Sequence, residues 1–171
     1  MKPRGPLMIE HRLIEKVLSV AKRRVESVAE KDYDPLFIET IVDFIKTYSD
    51  RTHHGKEEEI LFAALSKKQL DSENLQLMKE LIEEHKQARA RVKELAELNE
   101  QFKQGTKAVV SKIVEIVVWL AAFYPAHIKK EDTAFFPHIG TILLQRRTGR
   151  NVETVLGVRP KDDSRKVPKC I

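Results

Sequence analysis

Apolar residues recur at three- and four-residue steps along four stretches of the chain, the spacing of helices that each bury one face. The first stretch, about 7–29, aligns Leu7, His11, Ile14, Leu18, Ala21 and Val25. It stops before Lys31-Asp32-Tyr33-Asp34-Pro35, where Asp34 can cap the next helix and Pro35 suits its first turn. In the second, about 35–66, a stripe runs through Phe44, Thr47, Arg51, His54, Glu58, Leu61 and Leu65. The third begins after Asp71-Ser72 and carries Met78, Leu81, His85, Ala88, Val92, Leu95 and Phe102, with a break at Gly105-Thr106. The fourth, about 107–145, aligns Ile113, Val117, Leu120, Tyr124, His127, Glu131 and Ala134. Pro125 inside it predicts a kink rather than a chain break. Connections this short between helices this long force neighbours to run antiparallel. The expected fold is all-α: an up-down-up-down four-helix bundle over residues 1–146, with a basic C-terminal extension over 147–171.

Polar residues interrupt these stripes at particular places. His11, His54, Glu58, His85, His127 and Glu131 all fall on faces that should be buried. One buried histidine is ordinarily a satisfied core residue. Four, one per helix and accompanied by two carboxylates, need one another or a shared ligand, because burying them unpaired costs several kcal/mol each. Their positions along the antiparallel helices place all six at one end of the bundle. Both His54–Glu58 and His127–Glu131 set a carboxylate four residues after a histidine, on the same helical face and about one turn, ~6 Å, apart. Imidazole and carboxylate without thiolate favour iron, manganese or zinc. Two carboxylates shared among four helices suit a bridged pair of ions, with coordination positions left open for a small ligand.

Composition narrows the picture further. The chain has 171 residues, 42% hydrophobic and 33% charged, with a single cysteine, Cys170. That size fits one domain with a substantial core. A lone cysteine forms no internal disulfide, and the N-terminus lacks the apolar run of a signal peptide, so a cytoplasmic protein is expected. No apolar run reaches the length of a membrane span, so neither a transmembrane segment nor a membrane partner is expected; Val109–Tyr124 is broken by Ser111, Lys112 and Glu115. The formal charge of +5 is concentrated at the two ends. The basic tail carries no interleaved aromatics, which argues against a nucleic-acid partner and for a solvated extension or a protein-docking arm.

The His of MIEHRLIEKVL, then HHGKEEEILF, LIEEHKQARARV and PAHIKKEDTAFFP, taken in that order, resemble the hemerythrin-like, or His-His-Glu cation-binding, domains over roughly residues 7–140. The resemblance implies a non-haem centre of two iron ions held by His11, His54, Glu58, His85, His127 and Glu131, although other divalent metals suit the same donors. It implies binding of O2, peroxide or a similar small ligand, for sensing, storage or detoxification. The alternative is a di-iron redox enzyme with oxidase or peroxide-removing activity. Two positions depart from the oxygen-carrying hemerythrins: Arg89 stands where they have a second third-helix histidine, and Asp132 competes with Glu131 for the last carboxylate. Of the remaining candidates, His53 is expected to face solvent or an interface. His138, about 16 Å from His127 by helix rise, is out of reach. Tyr124 is read as a packed core residue, and Glu84 as a surface residue or a carboxylate orienting a histidine.

Overall fold

The structure, a computed structural model, describes residues 4–27 and 32–140. The expected extension from residue 147 and the role of Cys170 lie outside the described residues. Among the described residues the chain is all-helical, with four long helical stretches. The first helix is Arg4–Ser27. The second starts at Pro35, where the Asp34 carboxylate accepts a hydrogen bond from the Leu36 N–H at 3.0 Å, and continues to Leu65. The third is Ser72–Lys103, capped by Asp71, whose side chain accepts from the Asn74 N–H at 2.8 Å. It ends ahead of Gly105, whose φ of +106° is readily adopted only by glycine. The fourth runs from Lys107 to Gly140, continuing through Pro125 as one helix.

Every position in the stripe of the first helix is buried, as is the whole stripe of the third. The second helix differs from its expected register. After Phe44 it turns to π-helical geometry over Ile45–His54 and again over Lys56–Phe62. The Gly55 N–H reaches back five residues to the Asp50 carbonyl. A wider turn means less rotation per residue, so buried positions recur at steps of four and five: Ile45, Ser49, His53 with His54, Glu57 and Phe62. Arg51, placed on the inner stripe by an α-helical period, is exposed instead.

Two apolar clusters sandwich the polar layer. The larger gathers Ile14 and Leu18 with Ile45, Ala88, Val92, Leu120 and Tyr124. The smaller gathers Leu7, Phe62, Leu65, Met78, Leu81, Phe135 and Phe136. In each helix the histidines lie between residues of one cluster and residues of the other, so packing on both sides holds them at one level. The fourth helix, contrary to the expectation from its interrupted apolar run, is long and apolar enough to cross a membrane by length and composition alone. In this fold its apolar face, including Ile113, Val117 and Leu120, forms core.

Candidate metal centre

Five histidines and two glutamates meet in the layer between the apolar clusters. His54, His85 and His127 bring ring nitrogens within 4.8 Å of one another, and His11, His53, Glu57 and Glu131 do the same with nitrogen and oxygen atoms. All seven residues are buried. Of the six residues singled out by the sequence pattern, His11, His54, His85, His127 and Glu131 are brought together. Glu58 is not. Its side chain is 28% exposed and that of Glu57 is fully buried. His53, expected at the surface, is 1% exposed. The π-helical turn accounts for both differences, because it lets consecutive histidines face inward and swings Glu57 under His53, 3.5 Å from its Nε2. The spacing His53–Glu57 repeats His54–Glu58 one residue earlier, so a four-residue period alone does not choose between them.

The two carboxylates lie between the clusters. Glu57 points Oε1 at His53 and, at 4.0 Å, at His11, while its Oε2 is 3.5 Å from His85 Nε2. Glu131 points Oε2 at His11 Nε2, 3.1 Å away, and Oε1 at His127 Nε2, 3.3 Å away. Each glutamate therefore presents one oxygen to either side. None of these approaches is aligned as a hydrogen bond. All four carboxylate oxygens, His11 Nε2 and both nitrogens of His54 are buried without a hydrogen-bond partner. Such atoms cost about 1–3 kcal/mol each when nothing satisfies them. The His85 and His127 Nε2 atoms also face each other at 3.2 Å. Inward lone pairs and carboxylates converging on two points are what cations would satisfy, and nitrogen with oxygen donors suits iron, manganese or zinc.

A second ring of carboxylates surrounds the layer. His11 Nδ1 donates to Asp132 at 2.9 Å, His53 Nδ1 to Glu10 at 2.9 Å, His85 Nδ1 to Glu58 at 2.7 Å and His127 Nδ1 to Glu84 at 2.7 Å. His54 Nδ1 lies 3.4 Å from Asp50. An ionised carboxylate only accepts, so the four hydrogen-bonded Nδ1 atoms carry protons and the Nε2 atoms face inward, where they can serve as ligands once free of a proton. Each outer carboxylate is in turn clasped by a cation: Asp132 by Arg12, Glu10 by Lys56, Glu84 by Lys130, and both Asp50 and Glu58 by Arg89. Asp132 thus lies outside the cluster and Glu131 inside it. Glu58, Glu84 and Asp132 orient imidazoles on the outer side. His138 is exposed, its Nδ1 donating to the Ala134 carbonyl, and is in neither cluster. Tyr124 is packed in the core, its ring parallel to that of His54 at 6.1 Å.

The electrostatics match a cation site. Burial and the neighbouring Glu131 push the Glu57 carboxyl well above the ordinary range. Glu131 is held below it despite its burial, by His127 and His11. Without added positive charge the two carboxylates do not both ionise. Burial lowers His53 to about 4 and draws His85 well down. For His127, Glu131 and Glu84 outweigh burial and raise it to about 9. A cation entering the layer thus displaces protons from Glu57 and His127, so binding should weaken as pH falls below the His127 value.

Replacing Glu84 with Gln should lower metal affinity by roughly 10–100-fold, since it removes the charge that orients and polarises His127. A chelator-competition titration would measure this, and unchanged affinity would show that the outer ring is incidental.

Comparison with known proteins agrees with this geometry. The hemerythrin HHE cation-binding domain model matches residues 6–139, which spans all seven inward residues and every member of the outer ring. No match was found among curated proteins or solved structures. With five imidazoles and two carboxylates converging inside a helical fold, the chain belongs to the hemerythrin HHE cation-binding domain family.

Proposed function

We propose that the chain binds two iron ions and uses them to bind O2 or a related small ligand, for sensing, storage or detoxification. His54, His85 and His127 would hold one ion and His11 and His53 the other, with Glu57 and Glu131 placed to serve both. The observation that carries this reading is the division of each glutamate, one oxygen towards each cluster. An iron pair supplies one-electron redox change at each ion. The protein's own part is to orient four of the five imidazoles, those of His11, His53, His85 and His127, through the outer carboxylates. It also offers two inward carboxylates to balance charge and walls the layer between two apolar clusters.

Compared with the sequence reading, His53 and Glu57 join the ligand set and Glu58 leaves it. Arg89 is no longer a missing ligand. His54, whose ring stacks on His85 at 3.8 Å, supplies the third imidazole of that cluster.

The runner-up, a redox enzyme with oxidase or peroxide-removing activity, separates from this reading in one measurement. Iron-loaded, anaerobically reduced protein is mixed with O2 in an oxygen electrode with excess reductant present. A binding protein takes up O2 in a single round and then stops. Sustained consumption, scaling with reductant, would establish the enzyme instead.

A further inference from the structure

A half-open groove of about 430 Å³ runs between the second and third helices and reaches the metal layer at His54. Its walls carry Lys46, Arg89 and Lys93 against one carboxylate, Asp50, with Tyr124 beside His54. Lys93 has Glu97 as a distant partner at 3.8 Å. His54 is 1% exposed, and both of its ring nitrogens are without hydrogen-bond partners. Arg89 is a poor candidate for a mere surface ion pair. Its Nε donates to Asp50 at 2.7 Å and its Nη2 to Glu58 at 2.8 Å, which leaves the two N–H groups of Nη1 uncommitted among the described contacts. Its side chain is 38% exposed. One carboxylate separates it from His85, since Glu58 accepts from both Arg89 Nη2 and His85 Nδ1. The cluster behind it consists of three imidazoles, with Glu57 and Glu131 reaching it by one oxygen each.

We infer that this groove is the port by which a small monovalent anion reaches the metal layer, and that Arg89 is its recognition residue. The inference rests on the two-iron reading above. Lys46 and Lys93 draw the anion to the mouth through long-range attraction, which salt screens. Arg89 receives it on Nη1, a guanidinium face whose other donors Asp50 and Glu58 hold in place. The anion then passes the ring of His54 to the metal layer. The other outer cations, Arg12, Lys56 and Lys130, each clasp a single outer carboxylate, and none of them lines this groove.

The test uses the full chain loaded with ferric iron and azide as the probe, with binding followed by stopped-flow absorbance and iron measured in the same samples. Lys46→Glu/Lys93→Glu should slow azide association by about tenfold or more at low ionic strength. That difference should collapse near ~1 M salt, where screening lengths shrink to about 3 Å. Lys22→Glu, the same charge reversal on the first helix, should leave the rate unchanged. Arg89→Gln should weaken equilibrium azide binding by about tenfold or more, and Arg89→Lys should recover part of it. Equal association rates in wild type and the double variant, at equal iron content, overturn the port and leave the iron centre standing. A wild-type chain that takes up no iron, or shows no azide-dependent band, overturns the two-iron reading and the port with it.

Discussion

Glu57→Ala should abolish metal retention, whereas Glu58→Gln should weaken it by roughly 10–100-fold, the range for losing a carboxylate that only orients a ligand. The two residues are neighbours of one type, and only the fold separates them. Glu57 has no exposed side-chain surface and directs its oxygens at His53, His11 and His85. Glu58 reaches the solvent side, accepting from His85 Nδ1 and from Arg89. In the proposed two-ion centre, removing Glu57 would take charge from both positions at once and leave one carboxylate between two cations. Metal content after desalting, with affinity from chelator competition, measures the contrast. A larger loss at Glu58 than at Glu57 would mean that the second helix sits one residue away from the register described.

Removing the metal should lower thermal stability by a large margin. Without cations the layer holds seven buried histidine and glutamate atoms that have no hydrogen-bond partner, and two carboxylates that resist joint ionisation. At free metal about 1,000 times the dissociation constant, each site adds about 4 kcal/mol. For a chain of this size 1 kcal/mol shifts Tm by about 2–4 °C, so two sites amount to roughly 15–30 °C. Scanning calorimetry of metal-free and reconstituted protein reads this directly. A shift of only a few degrees would show that the layer is satisfied by protonation alone. Glu57→Ala should show almost none of the metal-dependent gain, which ties the stability effect to the same atoms as the retention effect.

The helices could be read from the sequence because their burial follows a 3.6-residue period. Leu7 to Val25 and Met78 to Phe102 keep that period, and every predicted stripe position there is buried. The caps at Asp34 and Asp71 follow from side-chain chemistry that acts within three residues. The second helix was misread where the period itself changes. Through Ile45–Phe62 the backbone is π-helical, which leaves no signature in residue type and shifts the inward set to His53, His54 and Glu57. The pair HHGKEEE contains two in-phase His-x-x-x-Glu spacings, and a test of both registers would have raised Glu57 as an equal of Glu58. Of the outer ring, only Glu84 could be named from the sequence as a carboxylate able to orient a histidine, and its partner could not. Glu10 is next to His11 in sequence but serves His53, and Glu84 is next to His85 but serves His127. Such pairings cross between helices, so the residues look like ordinary surface charge until the helices are placed. Arg89 shows the same limit. It stands where the oxygen-carrying hemerythrins have a second third-helix histidine, yet here it holds two carboxylates, and His54 from the second helix joins His85 and His127.

The most direct test of the account is the number of iron ions per chain at saturation. Protein reconstituted anaerobically with ferrous iron, desalted and measured by elemental analysis should hold two ions for each chain, one for each cluster. Mössbauer spectra of the oxidised sample should show a spin-coupled pair, as expected for two ions sharing Glu57 and Glu131. Saturation at one ion per chain, or two uncoupled ions, would contradict the bridged centre.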